Sequence, residues 1–268
     1  MLPLTTQIPY VTAVTVIGSN SSGRTEPLEM ICECQDDQAD YIVKLWANPQ
    51  VFLEKHCLAR EVYGSLLAKA FGLDTPEISI VEIEPDFYIS QPPQRADLLR
   101  RSTGYNFGSK YVRGAKIFNP PFPASRHSEA VKIFCFDMLI CNPDRRVGKP
   151  NLFDTPNGFM VFDHEQAFPF SRPQMILGGY PPCWEYIKDG WYKNHIFFSH
   201  IRNRECALEI EEFVTYMGFM SDELLDTIEE QIPEDWHTGN DIQTLRNYLA
   251  NTRDNAHLFR RSLQEILA

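Results

Sequence analysis

Two polar stretches of this chain carry residue types that do proton and metal chemistry. The first, NPDRRVGKPNL (Asn142 to Leu152), follows directly on an apolar run, and the second, VFDH (Val161 to His164), brings Asp163 twelve residues after Asn151. The pattern is a helix, a polar loop with Asp and Asn, a short hairpin and a further Asp. It suits phosphoryl transfer, in which one carboxylate meets the proton of an incoming hydroxyl while a second carboxylate and an amide oxygen hold Mg2+ against phosphates. Upstream, Lys44 interrupts an apolar strand pattern and would reach an α- or β-phosphate; Glu61, on the next helix pattern, would fix that lysine by an ion pair. Each residue alone has a plainer reading. Lys44 fits a solvent-facing strand position, Glu61 a helix-surface charge, Asp144-Arg145 a surface pair, and Asp163 a turn cap. The four in this order, on these element types, point to one site.

The elements that must position them are legible as periodicities. Val11–Ile17 is rich in β-branched residues, Glu26–Cys34 alternates, and Asp40–Trp46 is a third strand pattern. Leu58, Val62, Leu66 and Ala70 recur at helical spacing, with Gly72 and Pro76 as stop signals. Ile78–Ile83, Phe87–Ser90 and Phe107–Val112 read as further strands, and residues 91–106 as a Pro-, Arg- and Asp-rich loop. Pro120, Pro121 and Pro123 break the chain. A helix then starts at Ser125, with Ile133, Phe134, Met138 and Leu139 on one face, and short strands follow at Leu152–Phe153 and Phe159–Phe162. From Cys206 onward the chain reads as helical, with cap signals at Ser221 and Thr238–Asn240. The expectation is an α+β plan, β-rich in front and mainly helical behind, with a ligand cleft between.

The bulk numbers bound the function classes. The 268 residues, 43% hydrophobic, suffice for a substantial core. A formal net charge of −11 disfavours nucleic acid as a partner but not a nucleotide, whose site is local and can be neutralised by a cation. No apolar run is long enough to span a membrane, and the N-terminal MLPLTTQIPY lacks the basic and apolar regions of a signal peptide. Seven scattered cysteines, several in apolar surroundings, read as reduced thiols of a cytoplasmic protein. Cys32 and Cys34 have the wrong spacing for zinc, and His195 and His200 read as ordinary polar residues. GSNSSGRT, Gly18 to Thr25, comes close to a phosphate-binding P-loop but has Arg24 where that motif needs Lys. An alternating strand rather than a helix follows it, so it reads as a hairpin tip.

Four stretches resemble a HipA-like kinase domain, a bacterial group related to the phosphatidylinositol-kinase-like superfamily. They are YIVK (Tyr41 to Lys44), REVYGSLLAKAFGLDTP (Arg60 to Pro76), FDMLICNPDR (Phe136 to Arg145) and FDH (Phe162 to His164) with Ala167 and Phe168. IPEDW (Ile232 to Trp236) resembles the family's C-terminal part. The resemblance implies a bilobal protein-kinase-like fold, with an N-lobe over residues 1–113 and a C-lobe over 114–268. It also implies ATP- and Mg2+-dependent phosphotransfer, with Lys44 on ATP, Asp144 as catalytic Asp and Asp163 on the metal. Gly18–Thr25 then falls where a nucleotide-covering loop belongs, with Ser22 and Gly23 among the phosphate donors. Backbone groups around Tyr111 and Val112 fall at the hinge, beside an adenine edge.

One departure concerns the metal site. Kinases of this kind place a metal-binding Asn five residues after the catalytic Asp; that position here is Lys149, and Asn151 lies seven after. Either Asn151 is the ligand in a longer loop, or a cation occupies the metal-facing position. An ammonium beside a metal would be costly, since unit like charges about 4 Å apart repel by roughly 4 kcal/mol at an effective dielectric of 20. The expected acceptor is a Ser or Thr of a protein, the chain itself included. The alternatives are a pseudokinase that works as a nucleotide- or partner-binding module, and a kinase for a lipid or small molecule.

Overall fold

The computed structural model describes residues 7–19, 26–35, 37–47, 55–168, 182–237 and 241–268. Five strands close into a barrel in the order β1-β2-β3-β5-β4: β1 (Tyr10–Ser19), β2 (Leu28–Cys34), β3 (Asp37–Lys44), β4 (Ile78–Ile83) and β5 (Gly104–Lys110). β1 and β2 pair antiparallel out to Ser19 and Leu28, so the hairpin expected around Gly18–Thr25 is present at its base. Ser22 and Gly23, at its tip, lie outside the described residues. Closure comes from a parallel pairing of β1 with β4, Val11 opposite Val81, which the local alternation of either strand does not encode. Met30, Val43, Val81 and Leu99 fill the barrel core.

Helix α1 (Lys55–Ala70) crosses from the barrel to the helical half, and twelve of its sixteen residues are buried, Arg60 and Glu61 included. A single apolar face was the expectation from its spacing; burial nearly all round follows from its position between two packed layers. Its end matches the stop signals. Gly72 takes φ 67°, and the Leu73 and Gly72 N–H groups donate to Ala68 and Lys69 carbonyls at 3.0 and 2.9 Å.

Three expectations of the first half need correcting. Phe87–Ser90 is a 3-10 turn anchored by buried Phe87, not a strand, because β4 already finds both its neighbours in β1 and β5. Residues 91–106 are not all loop: α2 (Pro93–Arg101) starts on a proline and buries Leu99 alone of its nine residues, so it shows no apolar period to read. The strand expected at Phe107–Val112 runs instead from Gly104 to Lys110, its start set by pairing of Gly104 with Ile83.

In the second half a small sheet, β6 (Lys116–Ile117), β7 (Leu152–Thr155) and β8 (Gly158–Val161), lies beside α3 (His127–Leu139). A 3-10 turn over Ala124–Arg126 precedes α3, moving its start two residues past Ser125. Seven helical residues or more are found in α4 (Ala207–Met217), α5 (Asp222–Glu229), α6 (Asp241–Asp254) and α7 (Ala256–Leu267). Ser221 caps α5 as expected, its Oγ accepting the Leu224 N–H at 3.3 Å. The cap expected at Thr238–Asn240 lies outside the described residues. None of the seven cysteines is in a disulfide, and five of them are buried. No helix among the described residues is long and apolar enough to cross a membrane.

Candidate active site

Strand pairing and one close helix approach build the site. β7 and β8 pair Leu152 with Val161, so Asn151, just before one strand, lies beside Phe162 and Asp163, just after the other. The Phe162 N–H donates to the Asn151 carbonyl at 3.2 Å. Both turning residues are left-handed, Asn151 at φ 46° and Asp163 at φ 63°. Asn and Asp tolerate that conformation better than other side-chain-bearing residues, which is one local reason for their types here. The Val161 N–H donates to the Asp74 carbonyl at 2.8 Å, tying β8 to the segment that follows α1. At Gly64 a Cβ would lie 2.5 Å from the His164 Cβ, so only glycine lets α1 approach the 163–165 segment this closely.

Lys44, at the end of β3, projects into this junction and is 7% exposed. Its ammonium pairs with Glu61, donates to Asp163 Oδ1 at 2.7 Å and to Glu165 Oε2 at 2.8 Å. The other Glu61 oxygen accepts the His164 N–H at 2.8 Å, so one carboxylate fixes both the lysine and the segment carrying Asp163. Burial alone would lower Lys44, but the three carboxylates outweigh it and hold the ammonium well above its ordinary range. Burial lifts Glu61 to about 7 against the pull of Lys44, with Asp163 and Glu165 adding to the rise. Burial also opposes ionisation of Asp163, yet Lys44 and Lys149 keep that carboxyl well below the usual carboxylate range.

The Asp144 loop stands on a buried polar network. Arg145, fully buried, donates from Nε to Asp137 Oδ2 at 2.6 Å, and from its terminal nitrogen to the Asn151 and Phe162 carbonyls. Asp137 also accepts from Asn142 Nδ2 at 3.0 Å and contacts His195 Nε2 at 2.9 Å. Burial disfavours its charge, but Arg145 and His195 keep its carboxyl below the ordinary value. Asn142 Oδ1 in turn accepts the Asp144 N–H at 3.1 Å. Arg145 is therefore the bolt between the two acid-bearing loops, not half of a surface pair. His195 is a buried structural partner rather than the ordinary polar residue its sequence context indicated.

Asp144 Oδ2 meets the Lys149 ammonium and accepts from Asn151 Nδ2 at 3.2 Å. Lys149 also reaches Asp163 Oδ2 at 3.3 Å. Asp144, Asn151, Asp163, Lys44 and Glu61, predicted from separate parts of the sequence, thus come together. Glu165 was not among the expected residues; its signal was the acid two places beyond Asp163, after an apolar strand.

A cavity of about 540 Å³ opens from this polar end toward the barrel wall. Ile42, Ile78, Phe107 and Phe162 form its apolar part, and the Phe162 ring stacks on Phe153 at 4.3 Å between centroids. Tyr111 and Val112 line its far end. The Tyr111 N–H is engaged by the Asp40 carbonyl at 2.8 Å. A volume in the range of roughly 300–1,000 Å³, apolar with a few convergent polar groups, is that of a small-molecule site. The oxygens of Asp144, Asp163, Glu165 and Asn151 are the hard donors that Mg2+ takes. The oxygens of Glu61, Asp163 and Glu165 fall within 4.8 Å of one another, and two lysine ammoniums already occupy places where positive charge is stabilised. The residues therefore fit a divalent cation.

Among solved structures, the chain is similar to the crystal structure of a Helicobacter pylori proinflammatory kinase, CtkA, with a TM-score of 0.58 and 11% identity over 96% of this chain and 99% of that one. No curated protein matches the sequence. The family described as HipA-like kinase matches over residues 13–265, nearly the whole chain, and the protein belongs to that family.

Proposed function

We propose that the protein is an ATP- and Mg2+-dependent phosphotransferase whose acceptor is a Ser or Thr hydroxyl of a protein, itself included. The convergence of Lys44, Glu61, Asn151 and Asp163 at one end of a single cavity, with Asp144 bonded to the lining residues Asn151 and Lys149, carries this reading. In this reading the barrel half, to residue 113, is the nucleotide-covering lobe, and residues 114–268 form the catalytic lobe of one kinase-like domain. The apolar end of the cavity receives the base, near Val112. Lys44, oriented by Glu61, would hold phosphate oxygens, and Asp163 with Asn151 would hold Mg2+. The metal, when bound, neutralises charge on the transferring phosphoryl group. Asp144 positions the acceptor hydroxyl and takes its proton as the oxygen attacks. The chain's contribution is mainly placement and electrostatics, since it forms no bond to the phosphoryl group.

The decisive variant is Asp144→Ala. It should abolish phosphate transfer to protein while nucleotide binding persists; full transfer activity in that variant removes the assignment. A second reading, a nucleotide-binding module without transfer, is favoured by the Lys149 ammonium lying between Asp144 and Asp163. It predicts no Mg2+-dependent rise in melting temperature with ATP over ATP alone, whereas the kinase reading predicts a rise.

A further inference from the structure

Lys149 is held where it is by more than its own side chain. Arg146 and Lys149 exchange both backbone hydrogen bonds, at 3.0 and 2.9 Å, closing a tight turn with Gly148 at φ 86° and Pro150 directly after. The turn presents the Lys149 ammonium to Asp144 and Asp163, the two carboxylates that the proposed chemistry needs most. Arg146 lies to the other side of Asp144, its Nε 3.6 Å from Oδ1 and half-exposed. Lys44, the other ammonium of the cluster, is committed to Glu61, Asp163 and Glu165.

Over this floor four carboxylates (Glu61, Asp144, Asp163, Glu165) face the Lys44 and Lys149 ammoniums and, at the rim, the Arg146 guanidinium, which leaves at most one negative charge uncompensated. One divalent cation already exceeds that remainder. A second divalent cation would have to lie against the Lys149 ammonium, where like charges repel. Protein kinases hold two Mg2+ ions, one on an Asp corresponding in role to Asp163 and one on a catalytic-loop Asn. Here the amide is displaced to Asn151, which bonds Asp144, and a cation stands in the gap.

We infer that Lys149 takes the place of the second divalent cation, so that nucleotide is bound with one metal ion and the ammonium supplies the remaining positive charge. This inference rests on the nucleotide-binding reading above. The test is the number of Mn2+ ions bound per protein in the presence of a saturating non-hydrolysable ATP analogue, measured by the electron paramagnetic resonance of free Mn2+. Nucleotide affinity is measured in parallel, for the full chain and for Lys149→Asn and Lys149→Met. One Mn2+ is expected for the unmodified protein and two for Lys149→Asn, whose amide oxygen restores a ligand. Lys149→Met should keep one Mn2+ and bind the analogue at least tenfold more weakly. Two Mn2+ in the unmodified protein, or an unchanged count in Lys149→Asn, overturns the inference and leaves the kinase reading standing. If Lys149→Asn does not fold, unchanged analogue affinity in Lys149→Met overturns it. Failure of the unmodified protein to bind the analogue with any metal defeats the nucleotide reading itself.

Discussion

Lys44→Met tests whether the carboxylates at the junction of the two halves depend on one ammonium. Met keeps most of the length of the side chain and removes its charge, leaving Glu61 and Glu165, 1% and 2% exposed, facing each other and Asp163. Removing one partner of a buried ion pair costs about 3–5 kcal/mol, because the remaining charge stays desolvated and unpaired. Glu61 already titrates at about 7 and can take up a proton instead, which places the expected loss near the lower end, about 3 kcal/mol. For a chain of this size that corresponds to a fall in melting temperature of roughly 6–12 °C near pH 8. The pH dependence follows from the direction of the shift. Burial raises Glu61 in the folded state above its unfolded value of about 4.3, so the folded protein binds the extra proton between those values. Stability from this group is full below about pH 4.3 and declines as pH rises through the folded value. Removing Lys44 takes away the attraction that limits the rise, so the decline extends to higher pH. The gap between variant and unmodified protein should be larger near pH 8 than near pH 5. Thermal unfolding followed by circular dichroism across that range checks both statements. A melting temperature within about 2 °C of the unmodified protein near pH 8 would refute the reasoning. So would a gap that widens on acidification.

Gly64→Ala should cost about 1–3 kcal/mol and weaken nucleotide binding together, because the new methyl group meets the His164 Cβ at 2.5 Å and pushes the Asp163 segment off α1. Unchanged melting temperature and nucleotide affinity would contradict that approach. Arg145→Met should cost about 3–5 kcal/mol by leaving Asp137 buried and charged, whereas adding Asp137→Asn should recover much of the loss. Urea unfolding of the two single variants and the double reads the coupling, and simple additivity would mean the two side chains do not share one buried pair.

Much of the candidate site was legible because its parts are local. The hairpin between Asn151 and Asp163 is written in two short apolar runs, and the end of α1 is written in Gly72 and Pro76. The strand carrying Lys44 and the helix carrying Glu61 are set by period, and the order of the four residues along the chain points to their chemistry. α2 escaped because its single buried residue leaves no period, and Phe87–Ser90 misled because a β-prone tetrapeptide found no free strand edge.

Residue types, spacing and turn chemistry thus determined a β-rich front, a helical back and the acids that meet between them. Tertiary structure decided the closure of the barrel through β1 and β4, the burial of α1 on nearly every side, and the binding of Arg145, Asp137 and His195 into one network. It also decided that Glu165 shares Lys44, and that Lys149 rather than Asn151 bridges Asp144 and Asp163. The reason is one of range. Propensity and periodicity act over a few residues, whereas the energy of a charge depends on which distant segments exclude water from it and which opposite charges they bring along.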